Sequence, residues 1–105
     1  MTNPDFQVDA NNGVIAIAGR LDFTTASDAL EAVNEKMAAI SSAAASSSVT
    51  HVIDLGAVTH SNSAGLALMI EWLAEAQRSN QTVRFENIPD SLRQISTVCQ
   101  VDSLI

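Results

Sequence analysis

The chain has 105 residues, a length that fits one domain and is short for two. Its formal net charge is −7, and its five basic residues stand singly, so no basic cluster is present to neutralise a run of phosphates. This balance argues against nucleic-acid binding and against direct docking on an anionic membrane, whereas an acidic domain can still bind a basic protein partner. No apolar run approaches the roughly 20 residues of a membrane span, and the first residues lack a signal-peptide pattern, so we expect a cytoplasmic protein without membrane insertion.

The first half of the sequence predicts a β-hairpin and an amphipathic helix. Val14–Ala18 is a β-branched run bounded by glycines, and Phe6–Val8 precedes it across a D-A-N-N-G turn. Asp22, with Thr24 or Thr25, supplies the capping chemistry for the start of the helix. On this helix one apolar face is predicted from steps of three and four residues. Its residues are Phe23, Ala26, Leu30, Val33, Met37 and Ile40.

The second half predicts two further strands and two helices. Ser41–Ser48 has the composition of a fraying helix end and a surface loop. Val49–Leu55 is apolar enough for a central strand, and a helix is predicted from about residue 63 to 79. T-V-R-F-E alternates as a strand, I-P-D-S-L starts a third helix, and V-D-S-L-I is a candidate for a last short strand. Because two strand–helix–strand crossovers follow one another, we predict an α/β fold with a small mixed β-sheet and helices packed against it.

The joint between the central strand and the second helix, T-H-S-N-S-A-G-L-A-L, first suggests a nucleophile. Its S-N-S-A-G segment is close to the G-x-S-x-G of a nucleophile elbow, with Ser63 as the candidate serine. That arrangement needs a histidine after the serine, but His51 and His60 both precede it. A phosphate-binding loop is also disfavoured, because the joint contains a single glycine, Gly65, and no lysine follows it there. We therefore predict no catalytic residue, no cofactor and no metal site, and we expect that the chain is not an enzyme.

The same joint also has a structural interpretation. Asn62 or Ser63 would cap the second helix, which contributes about 1 kcal/mol. Gly65 would let the turn lie close to the strand, and Asp54 at the strand end would accept hydrogen bonds from loop amides. A hydroxyl at a helix start is in addition a favourable position for a phosphoryl group, because exposed N–H groups and the helix dipole stabilise negative charge.

The second helix is more apolar than packing on a sheet requires. One stripe along it consists of Leu66, Met69, Ile70 and Leu73. Leu68 and Trp72, four residues apart, form a ridge beyond that stripe. This ridge either packs under the first helix or is partly exposed and marks a protein contact. Both alternatives place the expected function in the segment from residue 62 to residue 72.

The run V-I-D-L-G-A-V-T-H-S-N-S-A-G-L-A-L-M-I resembles the signature of STAS domains, the fold of bacterial anti-sigma factor antagonists. In that family an apolar strand ends in Asp, and a short loop leads to Asp-Ser/Thr-small-Gly-Leu at a helix start. Asp54 corresponds to the strand acid, Ser63 to the hydroxyl residue and Gly65 to the glycine. Asn62 departs from the family, which commonly has Asp there. The resemblance implies a single STAS domain over residues 1–105.

The C-terminal half is similar to the small, MlaB-like STAS subunit of the Mla lipid-transport ABC systems of Gram-negative bacteria, in G-L-A-L-M-I-E-W-L-A-E-A-Q and F-E-N-I-P-D-S-L-R. The similarity implies a cytoplasmic subunit that binds the transporter's ATPase and supports phospholipid transport and outer-membrane lipid asymmetry. The residues expected in this contact are Asn62, Ser63, Ala64, Gly65, Leu68 and Trp72. The alternative is an anti-sigma factor antagonist, whose unmodified form sequesters a kinase that phosphorylates Ser63. Asn62 in place of the acid weakens that alternative.

Overall fold

The computed structural model describes residues 6–11, 13–43 and 49–98. The predictions for a last strand in V-D-S-L-I and for the loop over residues 44–48 lie outside these ranges. Within them the element order is β1 (Phe6–Asn11), β2 (Val14–Leu21), α1 (Ala26–Ala43), β3 (Thr50–Ser61), α2 (Ser63–Arg78), β4 (Thr82–Glu86) and α3 (Asp90–Val98).

The described strands form one mixed sheet in the order β1-β2-β3-β4. β1 pairs with β2 in antiparallel register, whereas β2 with β3 and β3 with β4 are parallel pairs. The parallel pairs require crossover connections, and α1 and α2 supply them. The predicted hairpin, the parallel crossovers and the α/β class with helices packed against a small mixed sheet are confirmed.

The core lies between one face of the sheet and the helices. Alternation along the strands directs Ile15 and Ile17 of β2, and Ile53 and Leu55 of β3, to this face, and all four are fully buried. The helices contribute buried residues at helical spacing, and α1 contacts α2 as well as the sheet. From α1 these residues are Ala29, Val33 and Met37.

β3 is longer than the sequence predicts. The apolar pattern ends at Leu55, but the strand continues to Ser61. Its second half pairs with the end of β2, where Leu21 lies opposite Ser61, after two shifts of register. Backbone pairing with a neighbouring strand thus overrides the weak strand propensity of G-A-V-T-H-S, and the joint before α2 becomes a tight one.

α1 begins at Ala26, so the prediction that Phe23 lies on the core face of this helix is wrong. Phe23 sits in the preceding turn, and its side chain is 73% exposed. The turn is fixed by Asp22, whose carboxylate accepts bonds from the Thr24 N–H at 3.0 Å and the Thr24 hydroxyl at 2.7 Å. The helical hydrogen bonds start only at Thr25, whose carbonyl accepts the N–H of residue 29. The capping bonds of Asp22 therefore start the helix after Phe23, so this residue is not part of the helical apolar face.

Candidate functional site

Ser63 is the first residue of α2, and Asn62 is its cap. Asn62 has an extended backbone, with φ −148° and ψ −164°, and its side-chain oxygen accepts the N–H of Ala64 at 2.9 Å. The backbone carbonyl of Asn62 accepts the N–H of Gly65, also at 2.9 Å. Of the two caps that the sequence allows, the structure uses Asn62. The side chain of Ser63 is exposed at the start of the helix.

Gly65 brings α2 close to the end of β2, as its sequence position predicts. A Cβ atom at this position would lie 2.9 Å from the carbonyl oxygen of Leu21 and 3.3 Å from Cδ2 of Leu92. Contacts below 3.0 Å with backbone are not relieved by a change of rotamer. The glycine therefore allows β2, α2 and α3 to meet directly beside Ser63.

Asp54 links β3 to the turn after β4. Its Oδ1 accepts the side-chain amide of Asn87 at 3.0 Å and the N–H of Gly56 at 2.8 Å. The bond from Asn87, followed by that from Gly56, holds the pKa of Asp54 below its ordinary value. Asn87 itself has a left-handed backbone, with φ 55°. Asp54 therefore accepts hydrogen bonds from nearby amides, as predicted, but it lies inside β3 and not at the end of the strand. Its bond from the side-chain amide of Asn87 was not indicated by the sequence.

An ionic cluster lies where β2 and β3 end. The guanidinium of Arg20 donates to Oδ2 of Asp22 from Nε at 2.9 Å and from Nη2 at 2.6 Å, and Nε2 of His60 lies 3.7 Å from the same oxygen. The hydroxyl of Thr24 and, after it, the guanidinium of Arg20 lower the pKa of Asp22 to about 2, against the opposing effect of burial. From the sequence, only a capping role is predicted for Asp22 and no role is predicted for Arg20.

Phe23 and Ser63 lie just beyond the ends of β2 and β3, at the same end of the sheet. Leu21 and Ser61 are paired at the ends of β2 and β3, and Phe23 and Ser63 each follow two residues later. The hydroxyl oxygens of Ser61 and Ser91 are 2.7 Å apart, which brings the first turn of α3 to the same edge.

The exposed residues at this edge form what we call the docking edge, namely Arg20, Phe23, His60 and Ser63. Among the described residues, Phe23 is the large hydrophobic side chain that is mostly exposed. The exposure of Phe23 could not be inferred from periodicity, because its spacing fits the apolar face of α1. The signal that would have found it is the capping chemistry of D-F-T-T, which starts a helix after the phenylalanine.

Leu68 and Trp72 belong to the core. Trp72 is 0% exposed and Leu68 is 6% exposed, because α2 is covered by α1 as well as by the sheet. Of the two alternatives for this ridge, the structure therefore has the one in which it packs under α1. The alternative of an exposed partner contact is wrong for both side chains, since neither can reach a partner while α2 is packed. Ala64 and Gly65 are buried as well, so Asn62 and Ser63 are the predicted contact residues with side chains at the surface.

His51 lies at the far end of β3 from Ser63. It is fully buried, and its Nε2 is 2.7 Å from Oε1 of Gln81 and 3.5 Å from Oγ of Ser41. The length of β3 separates it from the start of α2 by about 30 Å. Within the described ranges no group of three or more His, Cys, Asp or Glu side chains is placed to hold a metal ion, and no helix is long and apolar enough to cross a membrane.

The fold is similar to several solved structures. An anti-sigma factor antagonist from Mycobacterium paratuberculosis matches with a TM-score of 0.65 and 21% identity, over 100% of this chain and 87% of that chain. The Acinetobacter MlaFEDB complex in its ATP-bound Vtrans1 conformation contains a chain that matches with a TM-score of 0.67 and 22% identity, over 89% of this chain and 90% of that chain. The anti-sigma factor antagonist SpoIIAA in its unphosphorylated form matches with a TM-score of 0.60 and 17% identity, over 93% and 83% of the two chains. A comparison with curated protein sequences gave no significant match.

The mixed sheet, the covering helices and the strand–serine–helix joint define a fold of the anti-sigma factor antagonist type. A family model described as "Mlab, STAS domain" matches residues 5–105. The chain belongs to this STAS family.

Proposed function

We propose that the chain is a non-enzymatic STAS subunit that binds the ATPase of an Mla-type ABC transporter. Through that contact it would support phospholipid transport and outer-membrane lipid asymmetry, as a cytoplasmic protein held at the inner membrane by its partner. The observation that carries the proposal is the docking edge, where exposed Phe23 and Ser63 each follow by two residues the paired strand ends Leu21 and Ser61, in a domain of the Mlab STAS family. Residues 1–105 would act in this role as one domain.

The docking edge has the physical properties of a protein contact. Aromatic side chains are common among the residues that contribute most to binding, and Phe23 offers its ring without a conformational change. The buried Asp22 network holds the turn that carries Phe23, so little entropy is lost when a partner covers the ring. The charges beside the ring are already paired within the chain, because Arg20 donates to Asp22. An apolar pocket on the ATPase is the surface that this edge fits.

Leu68 and Trp72 have an indirect role in this proposal. Their burial fixes α2 against α1 and the sheet, and the cap formed by Asn62 fixes where α2 begins. The position of Ser63 relative to Phe23 therefore depends on side chains that a partner does not touch.

The alternative is an anti-sigma factor antagonist that is switched by phosphorylation of Ser63. The observation that favours it is the exposure of Ser63 at a capped helix start, where N–H groups and the helix dipole favour a phosphoryl group. Asn62 stands where the family commonly has an acid, and this departure favours the transporter role.

Affinity capture of the tagged chain from its host, with mass spectrometry of the bound proteins, separates the two functions. Recovery of an ABC ATPase supports the transporter subunit. Recovery of a serine kinase without an ATPase would overturn it in favour of the alternative.

A further inference from the structure

The face of the sheet that points away from the helices is open in the described part of the chain. Buried side chains of all three helices share one core cluster with Ile15 and Ile17 of β2. The residues that alternate with these two on β2 therefore point to the opposite face, together with their partners on the neighbouring strands. We call the centre of this surface the open face. Its residues, all exposed or partly exposed, are Asp9, Val14, Ala16, Ala18, Val52 and Asp54.

The open face does not have the composition of a sheet face that stays in water. β2 presents Val14, Ala16 and Ala18 there, and its parallel neighbour β3 presents Val52 opposite Val14. Parallel strands are normally covered on both faces, whereas a solvated sheet face carries polar residues at its outward positions. Three successive apolar outward positions on β2, beside a parallel strand, therefore indicate a surface that a partner covers.

Two carboxylates flank this apolar strip. Ala16 lies opposite Asp9 of β1 on one side and opposite Asp54 of β3 on the other. Because neighbouring strands are about 4.8 Å apart, the Cα atoms of the two aspartates are roughly 10 Å apart, with only a methyl group between them. In the described ranges neither aspartate forms an ion pair, and both hydrogen bonds to Asp54 end on Oδ1 at the exposed surface.

Charge complementarity selects the kind of partner. Arg84 of β4 lies on the same side of the sheet but donates to Glu86 at 3.1 Å, so it leaves the two aspartates unneutralised. An anionic membrane would be repelled by this surface, and a second copy of the chain would bring the same two aspartates to the contact. A cationic protein segment is the occupant that the charges favour.

We propose that the open face binds a basic segment of a partner protein, with one Arg or Lys side chain lying across Ala16 between Asp9 and Asp54. The alkyl stem of that side chain would pack on Ala16 and Ala18 while its charged group reaches both carboxylates. Ala16 is about 16 Å along β2 from Leu21, where the docking edge begins. This second contact therefore does not depend on the proposed ATPase contact.

Titration of the whole chain with acetyl-Ala-Arg-Ala-Arg-Ala-amide at constant ionic strength, followed by amide NMR, tests the proposal. We expect saturable shifts centred on Asp9, Ala16 and Asp54. The citrulline analogue of the peptide, which keeps its shape without its charge, should give no saturable shifts. Asp9→Asn and Asp54→Asn should each weaken binding about two- to fivefold, as expected for exposed ion pairs. Glu31→Gln is the matched control, because it removes an exposed acid from α1 on the other side of the sheet.

A further variant fills the site from within the chain. Ala16→Lys places an ammonium group between the two carboxylates and should abolish peptide binding, while urea unfolding should show undiminished stability because opposite charges then face each other across the strands. Unchanged binding by folded Ala16→Lys, shifts spread over the helices, or equal weakening by Asp9→Asn and Glu31→Gln would overturn the proposal. Concentration-dependent dimerisation that Ala16→Lys abolishes, measured by sedimentation, would also overturn it and assign the open face to a second copy.

Discussion

A Cβ atom at Gly65 would lie 2.9 Å from the carbonyl oxygen of Leu21. This contact between α2 and the end of β2 determines how the two segments leave the sheet. Phe23 follows Leu21 by two residues, and Ser63 precedes Gly65 by two residues, so both exposed residues of the docking edge depend on it. The geometry of the proposed partner site thus rests on the absence of a side chain.

Replacement of Gly65 by Ala should destabilise the fold by about 1–3 kcal/mol, because backbone must move to accommodate the new methyl group. Urea unfolding measures the change. Gly56→Ala is the matched control, since its Cβ would meet side-chain atoms of Asp54 and Asn87 at 3.1 and 3.2 Å, and the cost should be smaller. Equal losses in the two variants would contradict the assignment of a special close approach at Gly65.

Two aromatic residues, Trp72 and Phe23, should respond in opposite ways to truncation. Trp72→Ala leaves a cavity in the core and should cost about 3–5 kcal/mol of unfolding free energy. Phe23→Ala removes an exposed ring and should change that free energy by no more than about 0.5 kcal/mol. Thermal and urea unfolding of both variants test the contrast. A folded, fully stable Trp72→Ala protein would show that the buried position is wrong.

The contrast between these residues shows which features could be read from the sequence. The strands and helices of the core were predictable, because runs such as V-I-A-I-A and the steps of three and four in α1 follow from burial on one face. The cap at Asn62 was also within reach, because few residue types satisfy the free N–H groups of a helix start.

The docking edge was not predictable from periodicity. Phe23 has the spacing of a core residue, and the hydrogen bonds among Asp22, Thr24 and Thr25 place it in a turn. Trp72 lies beyond the stripe that faces the sheet, and the sequence left open whether α1 covers it. That question depends on how two helices pack, and the pattern of one helix does not contain this information.

Asp22 should make stability depend on pH in the acid range. Its pKa is lowered to about 2 in the folded chain, so the unfolded chain binds a proton more readily. The stabilisation is therefore fully present above the ordinary carboxyl pKa near 3.8 and is lost as the pH falls towards 2. Asp22→Asn should lower stability at pH 7 and flatten the change between about pH 4 and pH 2.

The control for this experiment is Asp9→Asn, which removes an exposed acid from β1. Chemical denaturation of the three proteins at a series of pH values gives the comparison. A pH profile of Asp22→Asn that parallels the unaltered chain would show that the bonds from Thr24 and Arg20 do not act on the folded state.

Ser63 separates the two proposed functions. In a phosphorylation switch, Ser63→Asp should abolish binding of a partner kinase, while Ser63→Ala should leave the kinase bound permanently. In the transporter role, Ser63→Ala should keep most of the ATPase binding, because the hydroxyl is one part of a surface that includes Phe23. Gln77→Glu, an added negative charge near the other end of α2, controls for charge alone.

The most direct test of the docking edge is quantitative capture of an ABC ATPase by the tagged chain and by its Phe23→Ser variant. We predict that the unaltered chain captures the ATPase and that the Phe23→Ser variant captures at least about tenfold less, while the stability of the variant is unchanged. The reason is that an aromatic anchor typically contributes more than about 1.4 kcal/mol to binding. Equal retention by both proteins, or capture of a serine kinase with no ATPase, would contradict the account.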